Sequence, residues 1–277
     1  MKQISFITFL VFMFVMSIVC SCSKDAEGDE YDDGGNITSL TTLDYTVDGY
    51  FDGVLYYQIK SNADNTVEVT KGAASVSVVV IPKHVIINGT TYSIKSIKER
   101  AFNENLNLSS LVISNTVKSI GLGAFSGCSN LASVIFGKNV ESIDHDAFGD
   151  CRITRLEFAD EESFSRLMLE HGGLLVYGGD ERPILSRTLY IKGKEIKDLV
   201  IPDSVSCIGS EAFSGCSGLT SVTIPKSVTR IGDEAFRSCS GLTSVTIPEN
   251  VTRIDNEAFR DCSGLTSVTI HAVSPPS

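Results

Sequence analysis

Phe213, Phe236 and Phe259 stand 23 residues apart, and Cys216, Cys239 and Cys262 keep the same step, as do Pro202, Pro225 and Pro248. A period of this length constrains the fold more than any other feature, because it marks one supersecondary unit stacked upon itself. The copies are close to verbatim: "IGSEAFSGCSGLTSVTIPKSV" from Ile208, "IGDEAFRSCSGLTSVTIPENV" from Ile231 and "IDNEAFRDCSGLTSVTI" from Ile254. An earlier block holds the step at Phe102, Phe125 and Phe148, with Ile97, Ile120 and Ile143 before them and Asn105, Cys128 and Cys151 in the cysteine slot. From Phe148 to Phe213 is 65 residues, four short of three periods, so a different piece of structure is expected between the blocks.

Each copy carries L-x-x-V-x-I, as in Leu219, Val222 and Ile224. Apolar β-branched residues alternate there with polar ones, the pattern of a short strand with one buried face. The proline that follows lacks an N–H and ends the pairing. A second alternation, Val228-x-x-Ile231, turns the chain toward Gly-Asp-Glu-Ala-Phe. That stretch is expected to form one capped helical turn carrying Phe236 inward. One such unit has too few apolar residues to close a core alone, whereas stacked units spaced about 4.8 Å apart bury a continuous one. Each repeated residue is then a rung in a column: Phe over Phe, and Cys over Cys as small buried groups. Thr116, Asn139, Ser204, Ser227 and Asn250 form a further column, placed three residues past the strand to bond the turning backbone. Eight such strands are legible between Val76 and Ile270, a ladder of roughly 40 Å.

The residues between the buried ones face outward together, and these rows are the candidate binding face. They are Ser110 and Val112, Ser133 and Ile135, and Arg155 and Glu157 in the first block. In the second they are Ser221 and Thr223, Ser244 and Thr246, and Ser267 and Thr269. Exposed sides of solenoids are where partners usually dock. Ser and Thr are also simply good exposed strand residues. Arg230 and Arg253 share another column, with Cys207 in the slot before them.

The N-terminus, "MKQISFITFLVFMFVMSIVCSCSKD", has a basic start at Lys2, an apolar run from Ile4 to Val19 and a small-residue exit, and looks like an export signal over residues 1–21. The run is shorter than the ~20 residues a membrane-spanning helix needs. Ser21 before Cys22 resembles a bacterial lipobox, which implies acylation of Cys22 and attachment to a membrane through lipid alone. The acidic "SKDAEGDE" after it resembles the surface-export signal of Bacteroidota lipoproteins. Residues 22–40 read as an acidic flexible tether, and residues 41–277 as one elongated domain. The net charge of −11 excludes a nucleic-acid surface.

No constellation for chemistry is visible. His84, His145, His171 and His271 sit at no metal-ligand spacing, and no metal or other cofactor is expected. A nucleophile is needed once, and the repeated cysteines occur at every level, so catalysis is not expected. "GGDE" at Gly178–Glu181 is similar to a cyclase turn, but it precedes Arg182-Pro183 and reads as a loop. Phe164, Leu167 and Met168 have helical spacing after Asp160.

The pattern I-G-x-x-A-F-x-x-C-x-x-L-x-x-V-x-I-P resembles the BspA-like leucine-rich repeat proteins of bacterial surfaces. The likeness is close from Ile201 to Ile270 and good from Ile94 to Phe158. "FDGVLYYQIKSNADNTVEVTKG" looks like the family's N-terminal hairpin cap, and "RTLYIKGKEIKDLVIPDSV" like its internal hairpin unit. The Asn88-Gly89 pair suits a type I′ hairpin turn. The fold implied is an α/β leucine-rich-repeat solenoid: a mainly parallel β ladder with short helical or 3-10 turns and β-hairpin insertions. The resemblance also implies adhesion or recognition by binding host matrix proteins such as fibronectin, or other cells, without catalysis. A second possibility is a glycan-binding accessory lipoprotein using the N-terminal aromatics Tyr45, Tyr50, Phe51, Tyr56 and Tyr57.

Overall fold

The computed structural model describes residues 39–40, 45–46, 48–170 and 186–271. The export signal, Cys22, most of the tether, His171 and Gly178–Glu181 lie outside the described residues. The described chain coils as a solenoid with three sides. The first is a ladder of parallel strands in two sheets. One sheet runs Val78–Ile81, Ser110–Ile113, Ser133–Phe136, Arg155–Phe158 and Thr188–Ile191, and ends on the antiparallel Lys194–Glu195. The other runs Asp198–Val200, Ser221–Thr223, Ser244–Ile247 and Ser267–Ile270. Thr188–Ile191 is a parallel strand beyond the eight legible in the sequence. It opens the internal hairpin, whose turn Lys192-Gly193 has φ of 50° and 73°. Left-handed backbone at both turn residues matches the twist of a two-residue hairpin. Asn88-Gly89 adopts the same conformation, with φ of 50° and 80°, between His84–Ile87 and Thr90–Ile97.

Two-residue strands make the second side. Ser119–Ile120 pairs with Ser96–Ile97 and with Ser142–Ile143 in the first block. In the second block, Arg230–Ile231 pairs with Cys207–Ile208 and Arg253–Ile254. The third side carries the phenylalanines and departs from the expected helical turn. Glu211, Glu234 and Glu257 are left-handed, with φ of 58°, 53° and 57°. Two residues past each Phe the backbone is left-handed again, at Gly215, Ser238 and Asp261. Alternate amides therefore bond inside the turn, as Ala235 N to the Gly232 carbonyl, or cross to the next rung. Glu234 N bonds Asn256 O at 3.0 Å, Phe236 N bonds Ala258 O at 2.8 Å and Ser238 N bonds Arg260 O at 2.7 Å. A helix would spend these donors within itself. The left-handed cost, about 1–2 kcal/mol for each non-glycine residue, is offset because the cross-rung bonds leave these amides satisfied.

The core is one continuous cluster running along the axis. Phe102, Phe125 and Phe148 stack at centroid distances of 4.8 and 5.2 Å, and Phe213, Phe236 and Phe259 at 5.2 and 5.3 Å. The break between blocks is bridged by a helical segment. Glu161–Phe164 is α-helical, with Asp160 as N-cap in a capping box with Ser163, and continues as a π-helical turn over Ser165–Glu170. Its Phe164, Leu167 and Met168 are buried, and Phe164 lies between Phe158 at 5.3 Å and Phe213 at 6.3 Å. Arg187 is buried at the same junction. It donates to the Ile153 carbonyl at 3.2 Å and the Ser214 carbonyl at 2.8 Å, tying one block to the other.

The cysteine column is more than apolar filling. All six described cysteines are free. Cys128, Cys151, Cys239 and Cys262 each donate a thiol hydrogen to a Phe carbonyl on the preceding rung, at 3.0 to 3.2 Å. Asn105 fills the same role through its amide, which reaches Ala73 O at 3.4 Å. The polar column past the strand bonds as expected at Thr116, Asn139 and Asn250, which reach carbonyls one rung back. Ser227 differs: its hydroxyl is buried with no partner. A column not foreseen runs through Thr220, Thr243 and Thr266, each bonding the carbonyl 23 residues earlier.

At the N-terminal end, Gly49–Phe51, Leu55–Ser61 and Thr66–Gly72 form an antiparallel meander, which joins the solenoid where Thr66–Gly72 pairs parallel to Thr90–Ile97. Ser39–Leu40, at the end of the stretch read as tether, pairs with His84–Ile87. Tyr57 belongs to the core here, with its hydroxyl on Asp52 at 2.6 Å.

Candidate functional site

Strand alternation and register together assemble the candidate face. In the first sheet, one outward column is Val78, Ser110, Ser133, Arg155 and Thr188, and the other is Val80, Val112, Ile135, Glu157 and Tyr190. In the second sheet the columns are Asp198, Ser221, Ser244 and Ser267, and Val200, Thr223, Thr246 and Thr269. All twelve residues picked from the sequence therefore lie in these four columns. The buried alternates, Leu111, Val134 and Leu156 among them, point into the core.

The exposure of the rows is not uniform. Thr223, Ser244, Thr246, Ser267 and Thr269 are exposed, whereas Ser110, Val112, Ser133 and Ile135 are half-buried. Glu157 is not a surface group: it is only 2% exposed. The internal hairpin passes over it. Tyr190 pairs with it in register, and Arg155 closes the remaining side by donating from Nη2 to Glu157 Oε2 at 2.8 Å. The Arg155 guanidinium lies 3.5 Å from the centre of the Tyr190 ring. A cation over an aromatic face, held by a buried carboxylate, is a fixed group rather than a waving surface arginine.

Six outward residues were missed: Val78, Val80, Thr188, Tyr190, Asp198 and Val200. The first two follow from extending the alternation through "SVSVVVI". Tyr190 was hidden because its strand sits outside the period. In the second sheet Asp198 accepts from Ser221 at 2.7 Å and from Thr220 at 3.1 Å, and these hydroxyls hold its carboxyl below the usual carboxylate range.

Elsewhere, Arg230 and Arg253 do not form a free cationic patch. Both ion-pair with Asp255, Arg230 at 2.5 Å. Burial would raise the Asp255 carboxyl, but the bonds from Arg230 and Arg253 outweigh it and hold the group low. Among the described residues no group of three or more His, Cys, Asp or Glu is placed to hold a metal ion. Burial pushes the Cys216 thiol up to about 12, with Arg187 acting in the opposite direction, and burial also raises Cys239. These thiols stay protonated and unreactive near neutral pH.

The model of the BspA type leucine rich repeat region matches six copies, over residues 84–167 and 185–274. The chain belongs to this family. Among solved structures, a leucine rich cell surface protein from Faecalibacterium prausnitzii is 29% identical, with a TM-score of 0.47, over 82% of this chain and 55% of its own. A leucine-rich repeat protein from Bacteroides ovatus is 24% identical, with a TM-score of 0.53, over 79% of this chain and 52% of its own. The chain thus spans about half the length of these relatives. The second likeness supports the leucine-rich solenoid fold on its own. No curated protein matches the chain.

Proposed function

We propose that this BspA-type protein is an exported surface protein that recognises other proteins through the outward face of its strand ladder, without catalysis. The observation that carries this is the face itself: in-register columns on adjacent rungs whose side chains stand free of the core. Ladder and core consume the repeated Phe, Cys and aliphatic residues, so the outward columns are what is left to vary toward a partner. The apolar N-terminal run, Ser21-Cys22 and the acidic stretch that precedes the Ser39–Leu40 strand support an acylated Cys22 and a flexible tether that would hold the solenoid clear of an outer membrane. Fibronectin, or another matrix protein, is the partner class the family suggests. The test is a matrix-protein binding screen with the full chain and with strand-face variants. Selective binding that drops at least tenfold when both Ile135 and Thr246 are changed to lysine supports the reading. Binding indifferent to that pair overturns it. Incorporation of labelled palmitate that vanishes in Cys22→Ala tests the anchor.

One observation favours a second reading, glycan binding at the N-terminal cap. Phe51 and Tyr56 stack at 4.2 Å on the outer side of the meander, and the Lys71 ammonium lies 5.6 Å from the Tyr56 ring. Such a platform suits a sugar ring. Tyr57 is in the core and takes no part in it. Saturable binding on a glycan array, lost in Tyr56→Ala with the fold intact, would favour this reading over the first.

A further inference from the structure

The two halves of the strand face differ in kind. Over the first three rungs the second outward column is aliphatic: Val80, 39% exposed, then Val112 and Ile135. The next two rungs place Glu157 and Tyr190 there, with the Arg155 guanidinium fixed between them. Past the exposed Val200 and Asp198 on its first rung, the second half offers Ser and Thr hydroxyls. The buried centre of an interface is more apolar than the rest of a surface and is enriched in aromatic side chains and arginine, whereas serine is depleted there.

Charge separates the halves as well. The strands and rims of the first three rungs, residues 74–83, 107–115 and 130–138, contain no Asp or Glu, and include Lys83 and Lys138 at the same place just past their strands. In the second half that place holds Asp203, Lys226 and Glu249. In a chain of net charge −11, the aliphatic stripe is thus set among cationic residues. An acidic partner is attracted there and repelled by most of the remaining surface.

We infer that this stripe, Val80, Val112 and Ile135 ending at Arg155 and Tyr190, is the part of the face that makes the contact, and that it takes an extended polypeptide segment with apolar side chains flanked by carboxylates. The inference rests on the strand-face reading above and narrows it. Five rungs at about 4.8 Å span ~19 Å, which an extended segment of about six residues covers. Its apolar side chains meet the valines and isoleucine, and its carboxylates meet Lys138 and the solvent side of Arg155.

Random 12-residue peptides displayed on phage, selected on the full chain, test it. The expected result is enrichment of alternating apolar residues bordered by Asp or Glu. Their binding falls at least tenfold in Val112→Lys with Ile135→Lys, falls in Lys138→Glu, and is unchanged in Thr246→Lys with Thr269→Lys. Circular dichroism melts check that each variant is folded. Peptides without that pattern overturn the inference, as do peptides that survive the Val112 and Ile135 changes. If binding moves with Thr246 and Thr269 instead, the inference fails and the strand-face reading survives. If it moves with neither pair, both fail.

Discussion

At Cys239 two roles compete: a small apolar group that fills space, and a donor that satisfies the Phe213 carbonyl at 3.1 Å. Cys239→Val keeps apolar bulk and removes the donor, whereas Cys239→Ser keeps a donor and loses sulfur contacts. That carbonyl also accepts from Cys216 N at 3.0 Å, so the thiol supplies its second bond, worth about 0.5–1.5 kcal/mol, and the valine variant is expected to be the less stable in a urea titration. The reverse order would mean that packing dominates. The Cys216 thiol, raised to about 12, retains its proton in the folded state at a pH where the unfolded chain has lost it. Its contribution is therefore complete below the ordinary thiol value of about 8.5 and is lost as pH rises from there toward 12. Stability measured at pH 7 and pH 10.5 should fall less in Cys216→Ala than in the native chain. In a labelling time course at pH 8, exposed Cys207 should react well before Cys216 or Cys239. The cysteine column was legible in the sequence as a column. Its donor role was not, because a bond to a carbonyl 26 residues earlier is set by how the rungs stack and not by local pattern.

Each rung succeeds by closeness to the next. A Cβ added at Gly241 would lie 2.3 Å from the Ser217 carbonyl oxygen and 2.7 Å from that of Leu219, both on the preceding rung. Gly241→Ala must push two turns apart and should cost about 1–3 kcal/mol, read as a lower urea midpoint. The Thr220, Thr243 and Thr266 hydroxyl column is a second device of this kind. Ion pairs between exposed residues 23 apart, Lys118 with Glu141 and Lys226 with Glu249, add little by comparison, since surface pairs contribute about 0–1 kcal/mol. Strands, hairpins and the capped helix after Asp160 were visible in local patterns of alternation, turn residues and caps. The Glu-Ala-Phe turn was not. Its local signal favours a helix, and the decisive hydrogen bonds run to residues 22 further on.

Across the whole molecule, stability is a sum over neighbouring rungs. Phe236 is fully buried between Phe213 and Phe259, while Phe259 has a ring neighbour on one side and is only partly buried. Phe236→Ala should cost about 3–5 kcal/mol, and Phe259→Ala distinctly less, in parallel denaturation experiments. Where the period breaks, the two ladder sheets are not paired to each other among the described residues. There Phe164 and Arg187 replace the regular stack, and Arg187 reaches carbonyls of both blocks. Arg187→Met removes those bonds, and the melt should then separate into two transitions. A single sharp transition would show that the remaining contacts, the helix and the bond from the residue 187 amide to Gly215 O among them, suffice to couple the blocks.

Recurrence in the sequence was sufficient to determine the solenoid, its columns and which alternate positions look outward, because a strand of period two inside a repeat of period 23 leaves few ways to bury every Phe. Tertiary structure alone decided how the two blocks join and what covers Glu157. It also decided that Arg155 and Tyr190 close the end of the aliphatic rows. Those features depend on an insertion outside the period, and a repeat predicts contacts only between its own copies.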